Sequence, residues 1–297
     1  MERQRRIIWY KPWHPYAFIL LAIVGLFIFR LGPMAFAFVM SFTRWDLLTS
    51  PEWIGITNYL ELFTTGDFWV VVKNTFVFAL VYVPGGLLVG LLLALLINVK
   101  VKGIGFFRAL FFSPLVTSAV AIGMVWNWIL SPQYGIFNYL LEVIFHVEGI
   151  SWLGNSATAL IAIAAIFVWK EAGFYMIIYL AGLQNIPVNL YEASATDGAS
   201  KFQKLRWITL PLLTPTTFFA LVISLFRMLR HFELIYAMTR GGPGIASTTL
   251  PYSIYQNAFI FYRIGYASAI AYVLVLLVGV VTLINFYYKR YWVKYQY

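Results

Sequence analysis

Apolar runs long enough to cross a bilayer recur along this chain, and each is closed by a short segment rich in charge, Gly and Pro. A membrane-crossing helix needs about 20 mainly apolar residues. Six segments meet that length, at about 16-42, 68-97, 104-130, 158-183, 209-238 and 264-288. The pattern predicts an all-α polytopic membrane protein, with residues 1-15 as a basic tail and 16-297 as a single transmembrane domain. Pro33, Pro84-Gly85-Gly86 and Pro114 fall inside spans, where a missing backbone donor or a glycine can bend a helix, either as a hinge or for packing.

Composition supports the membrane reading: 62% of residues are hydrophobic and only 11% are charged. The net charge of +10 is unevenly placed. Thirteen Lys and Arg fall in the N-terminal tail, the second and fourth connections and the C-terminal end, namely Arg3, Arg5, Arg6, Lys11, Lys100, Lys102, Arg108, Lys201, Lys204, Arg206, Lys289, Arg290 and Lys294. The other three connections hold only Arg44, Arg240 and Arg263. Because cationic segments stay in the cytoplasm, both termini and the connection around Glu192 are expected on that side. The charge is thus a topological signal, and no nucleic-acid partner is expected. The first apolar run is too long for a cleavable signal peptide and lacks a small-residue cleavage site after it.

The chain has no cysteine, so disulfides, thiolate metal sites and cysteine nucleophiles are excluded. His14, His146 and His231 are far apart and form no metal-ligand pattern, so no metal site is expected. No Gly-x-x-x-x-Gly-Lys loop or Gly-x-Ser-x-Gly elbow is present. Any ATP chemistry therefore belongs to another chain.

The most informative polar segment lies between the fourth and fifth spans. Pro187 can open a short helix through Tyr191 to Ala195, and Gly198 permits the turn into a second one carrying Lys201 and Lys204. This predicts a compact helical knob with Glu192, Ala193, Ser194, Ala195, Asp197 and Gly198 at or near its tip, small enough to enter a partner's groove and acidic enough to meet basic groups there.

Glu192-Ala193-Ser194, three residues, Gly198, nine residues, then Ile208-Thr209-Leu210-Pro211 resembles the cytoplasmic coupling loop of bacterial ABC importer permeases, with Ser194 where Ala is usual. Phe111-Phe112-Ser113-Pro114, Gly182-Leu183-Gln184-Asn185-Ile186-Pro187 and Thr239-Arg240-Gly241-Gly242-Pro243 are similar to the carbohydrate-uptake branch, and Thr248-Thr249 to its maltose permease F-like subunit. The resemblance covers roughly the last 230 residues. It implies a type I importer transmembrane domain with a coupling loop at about 187-208. It also implies a second, maltose permease G-like permease, two ATP-binding cassette subunits that carry ATP and Mg, and an extracellular or periplasmic solute-binding protein docking on outer loops of about 25 residues. No cofactor is expected on this chain, and its place is the bacterial cytoplasmic (inner) membrane. The peripheral first span, in this family, wraps the partner permease, so Arg30 is expected to snorkel or to pair with that neighbour.

Charges inside spans are costly in lipid and usually face a partner or a wet cavity. Lys170 and Glu171 interrupt the fourth span, and Arg227, Arg230 and Glu233 follow at three-residue steps on what would be one stripe of the fifth. Alignment without gaps from Glu192 puts Phe167, Lys170, Glu171, Phe174, Ser224, Arg227 and Met228 on the sugar-binding positions of maltose-type permeases, where the family is mostly uncharged. Aromatic faces suit a pyranose, and Arg227 could grip a carboxylate through two parallel hydrogen bonds, assisted by Lys170. The competing reading pairs Lys170 with Glu171 or Glu233, and Arg230 with Glu233.

The sequence therefore points to a non-catalytic permease subunit of an ATP-driven, binding-protein-dependent importer of a di- or oligosaccharide, extended by its cations to an acidic, uronate-containing one. Glycerol phosphate or another phosphodiester is the alternative substrate. An ion-coupled secondary carrier is the alternative class, although the paired inverted repeats and broken spans it would need are not evident. A membrane-embedded transferase or phosphatase would need clustered acids or histidines, and the eleven acidic residues are scattered.

Overall fold

The computed structural model describes residues 14–99, 101–146 and 149–293. The basic tail up to residue 13, and with it Arg3, Arg5, Arg6 and Lys11, lies outside the described residues, as do Lys100 and Lys294. The chain runs through α1 (His14–Leu26), a π-helical turn (Phe27–Leu31) and α2 (Gly32–Met40), which together make the first span. A small hairpin of β1 (Thr43–Arg44) and β2 (Glu52–Trp53) and a short α3 (Thr57–Thr64) lead to α4 (Gly66–Ile97), the second span. The third segment is α5 (Ile104–Val116) and α6 (Ala119–Ile129), and α7 (Ile136–Phe145) lies in the connection that follows. After α8 (Ala159–Gln184) come α9 (Val188–Thr196), α10 (Lys201–Lys204), a π-helical turn (Leu205–Thr209), α11 (Leu210–Leu212), α12 (Thr214–Met228) and α13 (Glu233–Met238). The chain then passes through α14 (Leu250–Tyr255) and a last π-helical turn (Gln256–Ile260) into α15 (Ile264–Trp292).

Among the described residues four helices are long and apolar enough to span alone, and two bent pairs bring the total to six. The third and fifth segments are therefore not the single helices the hydropathy predicts. α5 and α6 meet at 97°, and Lys201–Leu212 meets α12 at 60°. Pro114 lies one turn before the first break, where Thr117 and Ser118 turn to extended backbone. The fifth segment also stops at Met228. Amides of Arg230 and His231 bond back three residues, to Arg227 and Met228, and the tight turn delays the next helix until Glu233. Arg227, Arg230 and Glu233 consequently do not share one helical stripe.

The most extensive helix contact is between α4 and α8. It explains Pro84-Gly85-Gly86. α4 runs unbroken through Pro84, and a Cβ on Gly85, Gly86 or Gly90 would overlap Val168 or Tyr175 of α8. Gly86 and Gly90, four apart, form the small-residue seam by which membrane helices approach closely without a hydrophobic driving force. The proline and glycines serve packing, not a hinge. The first span is the opposite case: its most apolar stretch is not buried in the chain at all, and its tie to the bundle is α2 against α15, where Tyr272 donates to the Met34 carbonyl at 2.5 Å. Arg30 is exposed there.

Buried amide side chains fasten the outer connections. Asn58 donates to the carbonyls of Ser41 and Thr43 at 2.8 and 2.9 Å, Asn74 to Ile245 and Thr248 at 2.9 and 3.0 Å, and Asn138 to Ser131 and Ile150 at 3.1 and 2.9 Å. Each side chain satisfies carbonyls that a loop would otherwise leave unpaired away from water.

Orientation can be read at Ser50 and Gln133, which are exposed in the outer connections, against exposed Ser200. Single cysteines at 50 and 133 in this cysteine-free chain should react with a membrane-impermeant maleimide applied to sealed cells, and one at 200 should react only after permeabilisation. Labelling of position 200 from outside would reverse the topology.

Candidate functional site

A cavity of about 200 Å³ opens between the α5–α6 break, the middle of α8 and the turn after α12, lined by Leu115, Ala119, Phe167, Lys170, Glu171, Arg227, Arg230, His231 and Glu233. Five charges that the sequence spreads over 64 positions thus meet at one place, together with a histidine that sequence spacing had set aside. It is smaller than the 300 Å³ or more typical of a complete ligand pocket, as expected of a wall that needs a facing subunit.

Glu171 is the centre of the arrangement and only 3% exposed. Arg227 reaches across from α12 with its Nε 3.0 Å from Oε2 and its Nη2 2.5 Å from Oε1, a fork-to-fork pair. Tyr82 of α4 donates its hydroxyl to the same Oε2, and the Tyr82 and Tyr175 hydroxyls are 2.8 Å apart. His231 brings Nε2 to 3.5 Å from Oε2, which is a charge contact when the imidazole is protonated but not a hydrogen bond, since that buried nitrogen has no hydrogen-bond partner. The imidazole lies against Phe167, 4.4 Å between ring centres, and meets Tyr82 edge-on at 4.7 Å. Phe174 supplies a ring face 4.5 Å from the Arg227 guanidinium. Arg227 therefore spends its fork on Glu171, which corrects the expectation that the fork is free for a carboxylate.

The pairings of the competing reading are absent as well among the described residues. Lys170, 8% exposed, does not pair with Glu171 or Glu233; its ammonium donates to the Leu115 carbonyl at 3.0 Å. That carbonyl belongs to the last turn of α5, where the break leaves acceptors without helical partners and where a cation is favoured. Arg230 is exposed and makes no ion pair with Glu233. Ser224, fully buried, bonds back to Leu221, and Met228 at 6% exposure packs into the core, so neither joins the cavity lining. Lys170, Arg227 and Arg230 face Glu171 and Glu233, leaving one cation in excess with His231 neutral.

At the other end of α8 the knob takes the expected form: α9 starts after Pro187, Gly198 turns with φ +75°, and Ser200 caps α10 in a reciprocal box with Gln203. Glu192, Ala193, Ala195 and Asp197 are exposed. Ser194 is not at the tip; it is half-buried and donates to the Tyr191 carbonyl at 2.9 Å. Tyr191 in turn shares a hydrogen bond of 2.9 Å with Thr209, tying the knob's two limbs together.

Sequence reasoning missed Tyr82, Tyr175 and His231. The two tyrosines lie within spans, where they are masked by the abundance of aromatic residues, and His231 was set aside on its spacing from the other histidines.

Residues 86–291 match the family described as binding-protein-dependent transport system inner membrane component, and the chain belongs to that family. It is 39% identical over 285 residues to the probable ABC transporter permease protein YesP of Bacillus subtilis, covering 95% of this chain and 92% of that protein. It is 36% identical over 252 residues to the trehalose/maltose transport system permease protein MalF of Thermococcus litoralis, covering 84% and 83%. Among solved structures it is similar to a bacterial ABC transporter involved in the import of the acidic polysaccharide alginate, with TM-score 0.82 and 29% identity over 95% of this chain and 96% of that one. The chain is thus a multi-pass permease of the type I importer fold.

Removing one partner of a buried ion pair strands a charge, whereas removing both does not. Glu171→Gln or Arg227→Met alone should destabilise the solubilised protein by about 3–5 kcal/mol, and the double variant should recover most of that loss. Thermal unfolding of all three variants measures it. Simple addition of the two losses would show that the pair is not coupled.

Proposed function

We propose that this chain is one of two permease subunits of an ATP-driven importer of an acidic di- or oligosaccharide in the bacterial inner membrane, with ATP and Mg held by two separate cassette subunits and substrate delivered by a solute-binding protein. The chain itself carries out no chemistry in this reading. Of the relatives named above, one is named for trehalose and maltose and one for the acidic polysaccharide alginate, so substrate class rests on the cavity. The observation that carries it is the excess cation of the cavity: with Arg227 committed to Glu171, and Lys170 to the Leu115 carbonyl, Arg230 is the lining cation with neither an ion pair nor a side-chain hydrogen bond among the described residues. Phe167 lines the same wall, 2% exposed and packed against His231, and Phe174 lies under the Arg227 guanidinium, so both rings back the charged groups.

Force enters at the knob. Closure of the cassette subunits displaces α9, and the Tyr191–Thr209 bond obliges both α8 and the limb leading to α12 to follow. α8 carries Glu171 and the limb leads into α12, which carries Arg227, so the cavity wall rocks as a body and alternates its exposure.

Two measurements test these roles. Arg230→Gln should weaken uptake of a uronate oligosaccharide about ten- to a hundredfold, the worth of one charge-assisted hydrogen bond at about 1.5–3 kcal/mol, while a matched neutral oligosaccharide is spared. Equal loss for both, or stronger competition by glycerol phosphate than by uronate, removes the acidic-saccharide reading. At the knob, Gly198→Val meets no neighbour within 4 Å but forces a branched residue to φ +75°. Together with Glu192→Lys it should abolish coupled uptake while the chain still inserts. Parental transport by both variants would dismiss the coupling role.

A further inference from the structure

Between the knob and the fifth span, Lys201–Leu212 forms a limb with two unlike faces. Leu205, Ile208 and Thr209 turn inward, Ile208 against a core cluster that includes Tyr179, Leu183 and Leu213. The outward side carries Phe202 at 67% exposure and Trp207 at 71%, interleaved with Lys201, Lys204 and Arg206, and the Arg206 guanidinium stands 5.6 Å from the Trp207 ring centre. No acidic residue occurs from 198 to 232. Large exposed aromatics beside unpaired cations suit a surface that is apolar below and negatively charged above.

The bend limits how far the limb can stand from such a surface. The limb is about 18 Å long at 1.5 Å per residue, and at 60° to α12 it descends only about 9 Å along that helix's axis. A headgroup layer is roughly 6 Å deep on each side of the hydrocarbon core. With the start of α12 at the hydrocarbon boundary, Trp207 lies about 4 Å below it, inside the layer that indole rings favour, and Phe202 and Lys201 lie about 8 Å below, a side chain's reach from the headgroups.

We propose that the outward face of Lys201–Leu212 is a contact for anionic lipid in the cytoplasmic leaflet, with Phe202 and Trp207 inserted at the boundary and Lys201, Lys204 and Arg206 on headgroup phosphates. The limb then slides along the membrane surface when the knob is pushed, so that the thrust is guided sideways into α12 and is not lost by the limb tipping into the cytoplasm. This contact goes beyond the substrate reading and depends only on the cytoplasmic side assigned to the knob.

The test uses the assembled transporter in nanodiscs of phosphatidylcholine with or without phosphatidylglycerol. The absence of native cysteine allows one nitroxide label in this chain at Phe202→Cys or Trp207→Cys, with Ala193→Cys on the exposed knob as a control. Labels at 202 and 207 should be relaxed more by lipid-soluble oxygen than by an aqueous nickel chelate, more so with phosphatidylglycerol, and the label at 193 should show the reverse. Phosphatidylglycerol should also raise substrate-stimulated ATPase several-fold, and Lys201→Gln, Lys204→Gln and Arg206→Gln together should remove most of that rise. The proposal is overturned if 202 and 207 are as water-accessible as 193. It is equally overturned if both labels are shielded from oxygen and nickel alike by a neighbouring subunit, or if the triple variant keeps the full lipid response. Loss of uronate selectivity without any change in label depth would count against the cavity reading alone.

Discussion

A carboxylate buried to 3% exposure halfway along a membrane helix has to be answered by its neighbours, and much of the bundle's interior follows from how Glu171 is answered. An isolated charge there would cost several kcal/mol even after local relaxation. Arg227 supplies the opposite charge with two hydrogen bonds, and Tyr82 supplies a third donor, so α4, α8 and α12 are bound to a single pair of oxygen atoms. Tyr82 can arrive only because α4 lies unusually close to α8, and that approach depends on Gly86 and Gly90 presenting no side chain to Tyr175. Small residues and a buried charge thus solve one problem together: the first permit contact, and the second makes the contact specific in a medium where apolar surfaces have little preference for one another.

The breaks obey the same accounting. Where α5 stops, its last carbonyls lose their helical partners at membrane depth, a place where unsatisfied backbone is not tolerated beside lipid. Lys170 meets that need at Leu115, and so a cation that looks available in the sequence is largely committed in the fold. The turn after α12 brings His231 beneath Phe167 and exposes Arg230 to the cavity. Irregular backbone therefore concentrates around the cavity, whereas α4, α8 and α15 remain continuous.

Spans were legible because a length of apolar sequence is a local property, and the knob because fixed spacing between Glu192, Gly198 and Pro211 needs no knowledge of distant contacts. Which charges would meet was also largely readable, since membrane-buried charges have few places to go. Their pairing was not. Arg227 and Glu171 are 56 positions apart, and the choice between carboxylate and orphan carbonyl for Lys170 depends on a 97° break that hydropathy averages away. His231 was weighed as a metal ligand and dismissed on spacing, while its actual setting is aromatic packing beside Glu171. A periodicity argument that assumed one helix from 209 to 238 could not anticipate the turn that sets it there.

Continuity and interruption divide the molecule into parts that move together and parts that allow movement. Tyr191 and Thr209 tie the knob's two limbs to each other, and the core cluster around Tyr179, Leu183 and Leu213, against which Tyr191 packs, joins α8 to the start of α12. Higher up, the same two helices are joined by Glu171 and Arg227. In the proposed cycle a displacement at the knob would reach the cavity with both partners of the ion pair moving in concert, so that the buried carboxylate keeps its counter-charge. Relative motion must then fall on interfaces without such ties. α5 packs closely on α8, with Gly173 against the Phe111 and Phe112 backbone and Lys170 bonded to Leu115, whereas the first span touches the bundle mainly along α15. A costly buried pair that joins α8 to α12 is kept intact by any motion that carries those two helices as one body, so that charges need not be separated in the membrane.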